Sequence, residues 1–80
     1  MKIPRDVSGA KLSKLLKKFD FEITRQTGSH MRLTSTISGE FHITIPKHKS
    51  LKIGTLNNIL SDIADFLDIN KKELILELFR

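Results

Sequence analysis

The sequence predicts an α+β fold, a three-stranded antiparallel sheet with helices packed on one face. Three observations carry that expectation. Segments 21–25, 30–34 and 41–45 alternate apolar and polar residues, as half-buried strands do. Gly28-Ser29 and Ser38-Gly39 separate them by turns short enough to make neighbouring strands antiparallel. The stretches before and after this region place their apolar residues at helical spacing instead.

In chain order, Met1 to Val7 is a short lead-in containing Pro4, and Ser8 is the expected N-cap of a first helix. Leu12, Leu15, Leu16 and Phe19 form its apolar stripe, while Lys11, Lys14 and Lys18 share another face. That basic stripe fits a phosphate backbone, though lysines so placed more often face water. Asp20 ends the helical region. The alternation then sends Phe21, Ile23, Met31, Leu33, Phe41, Ile43 and Ile45 toward the helices. It sends Glu22, Thr24, His30, Arg32, Thr34, His42 and Thr44 the other way. Pro46 stops the third strand. Lys47 to Lys52 reads as a basic loop. A helix starts between Lys52 and Thr55, buries Leu56, Ile59, Leu60 and Ile63, and ends near Leu67. Asn70 with Glu73 resembles a capping box for a last short helix with Leu74, Ile75, Leu78 and Phe79 on its apolar face. The order is helix, three strands, helix, short helix, which is that of the double-stranded-RNA-binding fold. The sheet is thus expected to be covered on one side only.

Eighty residues predict a single domain, 1–80, with a small core. The chain has no cysteine, which removes a disulfide framework, a thiolate nucleophile and every cysteine-based metal site. No apolar run approaches a membrane span and no apolar signal segment opens the chain, so a cytoplasmic location and no membrane partner are expected. The net charge of +5 is unevenly placed. Residues 1–54 hold eleven Lys and Arg against four Asp and Glu; residues 55–80 hold three against five. A basic front and an acidic rear suit an anionic partner, nucleic acid foremost. The five phenylalanines fall at core positions, and there is no tryptophan or tyrosine, which argues against a base-stacking platform.

His30 is the sharpest chemical candidate. It follows the glycine turn, points to the uncovered face, and has Arg25 and Arg32 close in sequence. Cleaving RNA needs a base for the 2′-OH proton, an acid for the leaving 5′-oxygen, and cations near the phosphate. One histidine among arginines supplies part of this without metal; a lone surface histidine is also a common, unspecific feature. His48, beside Lys47, Lys49 and Lys52, is a second proton donor or a phosphate contact, or a solvated loop residue. His42 is the weakest of the three. No histidine spacing suggests a metal site, and no cofactor motif is present.

These residues together resemble a known family. Arg25-Gln26-x-Gly28-Ser29-His30, then Ile43-Thr44-Ile45-Pro46-x-His48 and Leu51-Lys52-x-Gly54-Thr55-Leu56-x-x-Ile59-Leu60, are similar to the HicA (YcfA-like) toxins. Ser8-Gly9-x-x-Leu12 and Phe19 at the start, and Phe66-Leu67-Asp68-Ile69 near the end, extend the resemblance over nearly the whole chain. It departs at Thr34-Ser35-Thr36-Ile37, where many members carry a further histidine or basic residue, and at Ile53, where proline is common. The resemblance implies a toxin of a toxin–antitoxin pair with a double-stranded-RNA-binding-like fold, acting as an mRNA interferase. It implies His30 as the catalytic residue and a HicB-like antitoxin as partner. Arg25, Ser29, Arg32, Lys47, His48, Lys49 and Lys52 are the candidate RNA contacts. The residues themselves also leave open a non-catalytic RNA-binding module and a plain protein-interaction domain.

Overall fold

The computed structural model describes residues 3–80, so the first two residues of the lead-in lie outside it. Helix α1 spans Gly9–Leu15 and tightens into a 3-10 turn, Leu16–Phe19. Strands β1 (Glu22–Thr27), β2 (His30–Ser35) and β3 (Phe41–Pro46) follow, then helices α2 (Ile53–Leu67) and α3 (Lys71–Phe79). The sheet is a three-stranded antiparallel meander in the order β1-β2-β3. The expected α+β architecture, with helices on one face, is therefore what the chain adopts.

Each boundary has a local cause. The Ser8 side chain accepts from the Lys11 N–H, one of the donors a helix start leaves unpaired. Asp20 ends the 3-10 turn in the left-handed region (φ 67°), and its carboxylate accepts from the Thr36 N–H and hydroxyl at 3.3 and 3.1 Å. That single side chain ties the first helical segment to the β2–β3 turn. Gly28, at φ 55°, makes the first tight turn. Pro46 is the last residue of β3, which is an edge strand and tolerates its missing N–H. Asn70 caps α3 by accepting from the Lys72 N–H at 2.8 Å, one position earlier than the expected box would place it.

One cluster forms the core. Leu12 and Leu16 of the first segment, Phe21, and Met31, Leu33, Ile43 and Ile45 of the sheet pack against Leu56, Ile59, Leu60 and Ile63 of α2. Leu74, Ile75 and Leu78 of α3 close it. The phenylalanines all belong to this interior or pack onto it, and Phe41 stacks on Phe66 with ring centroids 4.5 Å apart. Burying each such side chain contributes about 1.5–3 kcal/mol, so the inward sheet face sets the sheet's orientation.

Three expectations about faces are corrected. Ile23 is on the helix side but remains 47% exposed, because α1 is only seven residues long and does not reach over the edge strand. The strict alternation of β1 also breaks. Its register shifts between Ile23 and Arg25, so that Thr24 and Arg25 both lie opposite Arg32. This bulge carries Arg25 onto the uncovered face, where unbroken alternation would have turned it under the sheet. Lys18 does not share a free basic stripe with Lys11 and Lys14. Its ammonium donates to the Glu77 carbonyl at 2.7 Å and holds the first helical segment against α3.

Candidate functional site

The uncovered face consists of three cross-strand rows. Thr27, His30 and Pro46 form the row at the Gly28 turn. Arg25, Arg32 and Thr44 form the next, and Glu22, Thr34 and His42 the third. His30 is exposed, at the first position of β2. Two residues along a strand span about 7 Å, so the arginine row lies within reach of a phosphate held at His30. Arg25 and Arg32 are direct cross-strand partners, and like charges so opposed destabilise a sheet. An anion bound between them removes that cost.

The basic loop is fixed in place by the segment before α1. The Gly9 N–H donates to the His48 carbonyl at 2.9 Å, and the Leu51 N–H donates to the Val7 carbonyl at 2.8 Å. Lys47 is held directly beside the turn, its N–H donating to the Ser29 carbonyl at 2.6 Å. Ser29 thereby has a backbone role besides its candidate contact with RNA. Lys47, His48, Lys49 and Lys52 are all exposed. Lys52 is the residue preceding α2 and makes no side-chain cap.

The structure groups these cations differently from their order in sequence. Lys47 lines a groove of about 250 Å³ with Lys14 and Lys17, next to Ile23 and Met31. It belongs to the underside of the Gly28 turn as much as to the loop. The basic surface therefore runs from Arg25 and Arg32, past Lys47, to α1. Lys17 follows Lys14 at i+3, the spacing that puts two residues on one helical face, and that spacing was the signal for its place in this belt.

His42 is separated from His30. It lies opposite Thr34, four residues along β2, or about 13 Å from the His30 row. The two histidines cannot act on one phosphate. His42 instead belongs to a side-chain line that sequence spacing did not reveal. Its Nε2 is 2.7 Å from Glu40 Oε2, its Nδ1 is 2.7 Å from Thr34 Oγ1, and Thr34 Oγ1 is 2.8 Å from Thr24 Oγ1. The 34-to-42 register about the Ser38-Gly39 turn was the signal that could have found it. Among the described residues no three His, Asp or Glu side chains converge as metal ligands, and no helix is long and apolar enough to cross a membrane.

An antiparallel sheet backed by helices, with a histidine and opposed arginines on its bare face, defines a small α+β domain that presents one cationic surface. Comparison with known families makes the class specific. The model described as HicA toxin of bacterial toxin–antitoxin matches residues 9–64, and the chain belongs to that family. The match takes in α1, the whole sheet and most of α2. No curated protein and no solved structure matches the chain.

Proposed function

We infer that this toxin is a metal-independent endoribonuclease, an mRNA interferase, with His30 as its catalytic residue. The observation that carries the reading is the arrangement of the bare face: one exposed histidine, with an opposed pair of arginines in the next row. RNA cleavage by the 2′-OH needs no cofactor. His30 takes the 2′-OH proton, the 2′-oxygen forms a bond to phosphorus, and the bond from phosphorus to the 5′-oxygen breaks. The leaving 5′-oxygen takes a proton from solvent water. The cations oppose the charge that builds on the phosphate, where preorganised charge contributes most. Arg25 and Arg32 are the nearest such groups on the face, with Ser29 and Lys47 at the turn and His48, Lys49 and Lys52 along the loop.

The same face is the surface we assign to a HicB-like antitoxin. Among the described residues the helices pack on only one side of the sheet, and the Arg25–Arg32 row suits acidic groups of a partner. A standard interface takes roughly 800 Å² from each partner, enough to cover all three rows. Free toxin then cleaves mRNA in the cytoplasm, and bound toxin does not.

The test is cleavage by purified, metal-free protein. Activity on single-stranded RNA should persist unchanged in excess chelator; loss in chelator with recovery on adding magnesium or zinc would remove the mechanism. The basic loop gives a second expected result. Replacing Lys47, Lys49 and Lys52 together by alanine should weaken binding and flatten its salt dependence, by roughly 0.7 in logarithmic slope for each phosphate no longer neutralised. An unchanged slope would place the RNA on another surface.

A further inference from the structure

We propose that the end of the bare face remote from His30 is a base-reading subsite that takes a guanine of single-stranded RNA, with Glu40 as the reader. The proposal deepens the ribonuclease reading and rests on it. Four side chains from the β2–β3 turn and all three strands make one hydrogen-bonded line, Glu40 to His42 to Thr34 to Thr24. An exposed Glu–His pair contributes little to stability, and ordering long side chains opposes it. What the line does supply is a carboxylate held in one position on a rigid sheet.

The protons of the line decide what it offers outward. A carboxylate has only acceptors, so the ring nitrogen facing it, Nε2 of His42, carries a proton. In the singly protonated ring Nδ1 is then an acceptor and takes the Thr34 hydroxyl proton. The Thr34 and Thr24 hydroxyl oxygens are 2.8 Å apart, and the Thr24 hydroxyl also has the Arg32 carbonyl as an acceptor at 3.4 Å. Every proton in the line is used internally. What remains free is acceptor capacity, chiefly on Glu40, which is 69% exposed and has one of about four lone-pair positions engaged.

Charge then selects the ligand. Glu22 lies opposite Thr34 and adds a second carboxylate to this end of the face. Two carboxylates repel a phosphate, so the backbone track stops at the Arg25–Arg32 row. The part of RNA that suits an acceptor array is a base edge rich in donors, and single strands leave those edges open. Guanine presents two adjacent donors, N1–H and N2–H₂, which match one carboxylate. Adenine and cytosine present one amino group beside an acceptor nitrogen. Uracil places its single N–H between two carbonyls that a carboxylate repels. At about 13 Å from the His30 row, the read base is a nucleotide or two from the cut.

The experiment is cleavage of a random single-stranded RNA pool, with the cut ends sequenced, by wild-type protein and by Glu40→Gln, His42→Ala and Thr34→Val. Wild-type cuts should be enriched in guanine at one fixed position near the cut. Glu40→Gln should lower the guanine-to-uracil ratio there about tenfold, in line with the discrimination a good paired contact gives. His42→Ala and Thr34→Val, which release the carboxylate without removing it, should lower the ratio less. Wild-type cuts with no guanine preference at a fixed position, or a preference that survives Glu40→Gln, would overturn the subsite. Binding separates this from failure of the catalytic reading. His30→Ala protein should bind a labelled uridine decamer less tightly than one with guanosine at alternate positions, and Glu40→Gln should erase the difference. Equal binding of the two decamers overturns the subsite even if cleavage is observed. If Glu40→Gln weakens antitoxin capture and leaves the RNA preference intact, the site belongs to a protein partner and the proposal fails.

Discussion

His30→Ala should remove toxicity altogether. Expressed in a bacterial host at the level of the unchanged protein, the variant should allow normal growth and leave cellular mRNA intact. Loss of a general acid or base typically costs 10²–10⁴-fold in rate. With a single histidine serving the phosphate, we place the expected loss at the upper end of that range. Folding should not change, because His30 is exposed at the start of β2 and its backbone pairing with Thr27 and Pro46 does not depend on its side chain. The thermal midpoint of the variant should stay within about 4 °C of the parent, as for most surface substitutions. A variant that arrests growth at equal abundance would show that some other group carries the chemistry. His48 would then be tested first, since its loop is held beside α1 and the turn.

Gly9→Ala should be the most damaging small substitution in the chain. A Cβ at Gly9 would sit 2.0 Å from the Pro46 carbonyl oxygen and 3.1 Å from its carbon. Both are backbone atoms at the end of β3, and neither can swing aside as a side chain would. To relieve the clash α1 must lift off the sheet, and the Gly9 N–H must give up its bond to the His48 carbonyl. Overpacking of this kind costs on the order of 3 kcal/mol. In a domain of this size that lowers Tm by roughly 12–24 °C. Gly54→Ala is the matched comparison. Nothing lies within 4 Å of its added Cβ, its φ is not positive, and it stands in the first turn of α2. It should leave Tm unchanged or raise it slightly. Equal midpoints for the two variants would contradict the close approach of α1 to β3. Because the same approach positions the basic loop, Gly9→Ala should also weaken RNA binding at temperatures where the protein is still folded.

The elements were legible in the sequence wherever one periodicity held. Leu56, Ile59, Leu60 and Ile63 repeat at helical spacing, and all four are buried on α2. Met31, Leu33, Ile43 and Ile45 alternate, and all four line the core. Periodicity failed in β1, where Thr24, Arg25 and Gln26 are consecutive polar residues. Such a run carries no face assignment, and the bulge within it is what turned Arg25 outward beside Arg32. Contacts between remote segments were also hidden. Nothing near Lys18 predicts that its ammonium is taken by α3, and Lys14, Lys17 and Lys47 converge only because α1 crosses below the Gly28 turn. The Gly28-Ser29-His30 turn was readable because its backbone demand is local: Gly28 adopts a positive φ and the next strand begins at once. The Glu40–His42–Thr34–Thr24 line depended on register across two turns and on rotamers, which spacing alone does not supply.

Activation of the RNA 2′-OH by His30 on the bare sheet face is open to one direct measurement. It uses an oligoribonucleotide whose cut position has been mapped with purified wild-type protein, remade with a single 2′-deoxynucleotide on the 5′ side of that position. The mechanism predicts no cleavage at the modified linkage, continued binding, and 2′,3′-cyclic phosphate and 5′-hydroxyl ends on the unmodified substrate. Cleavage of the deoxy-substituted linkage, or products carrying a 5′-phosphate, would contradict it.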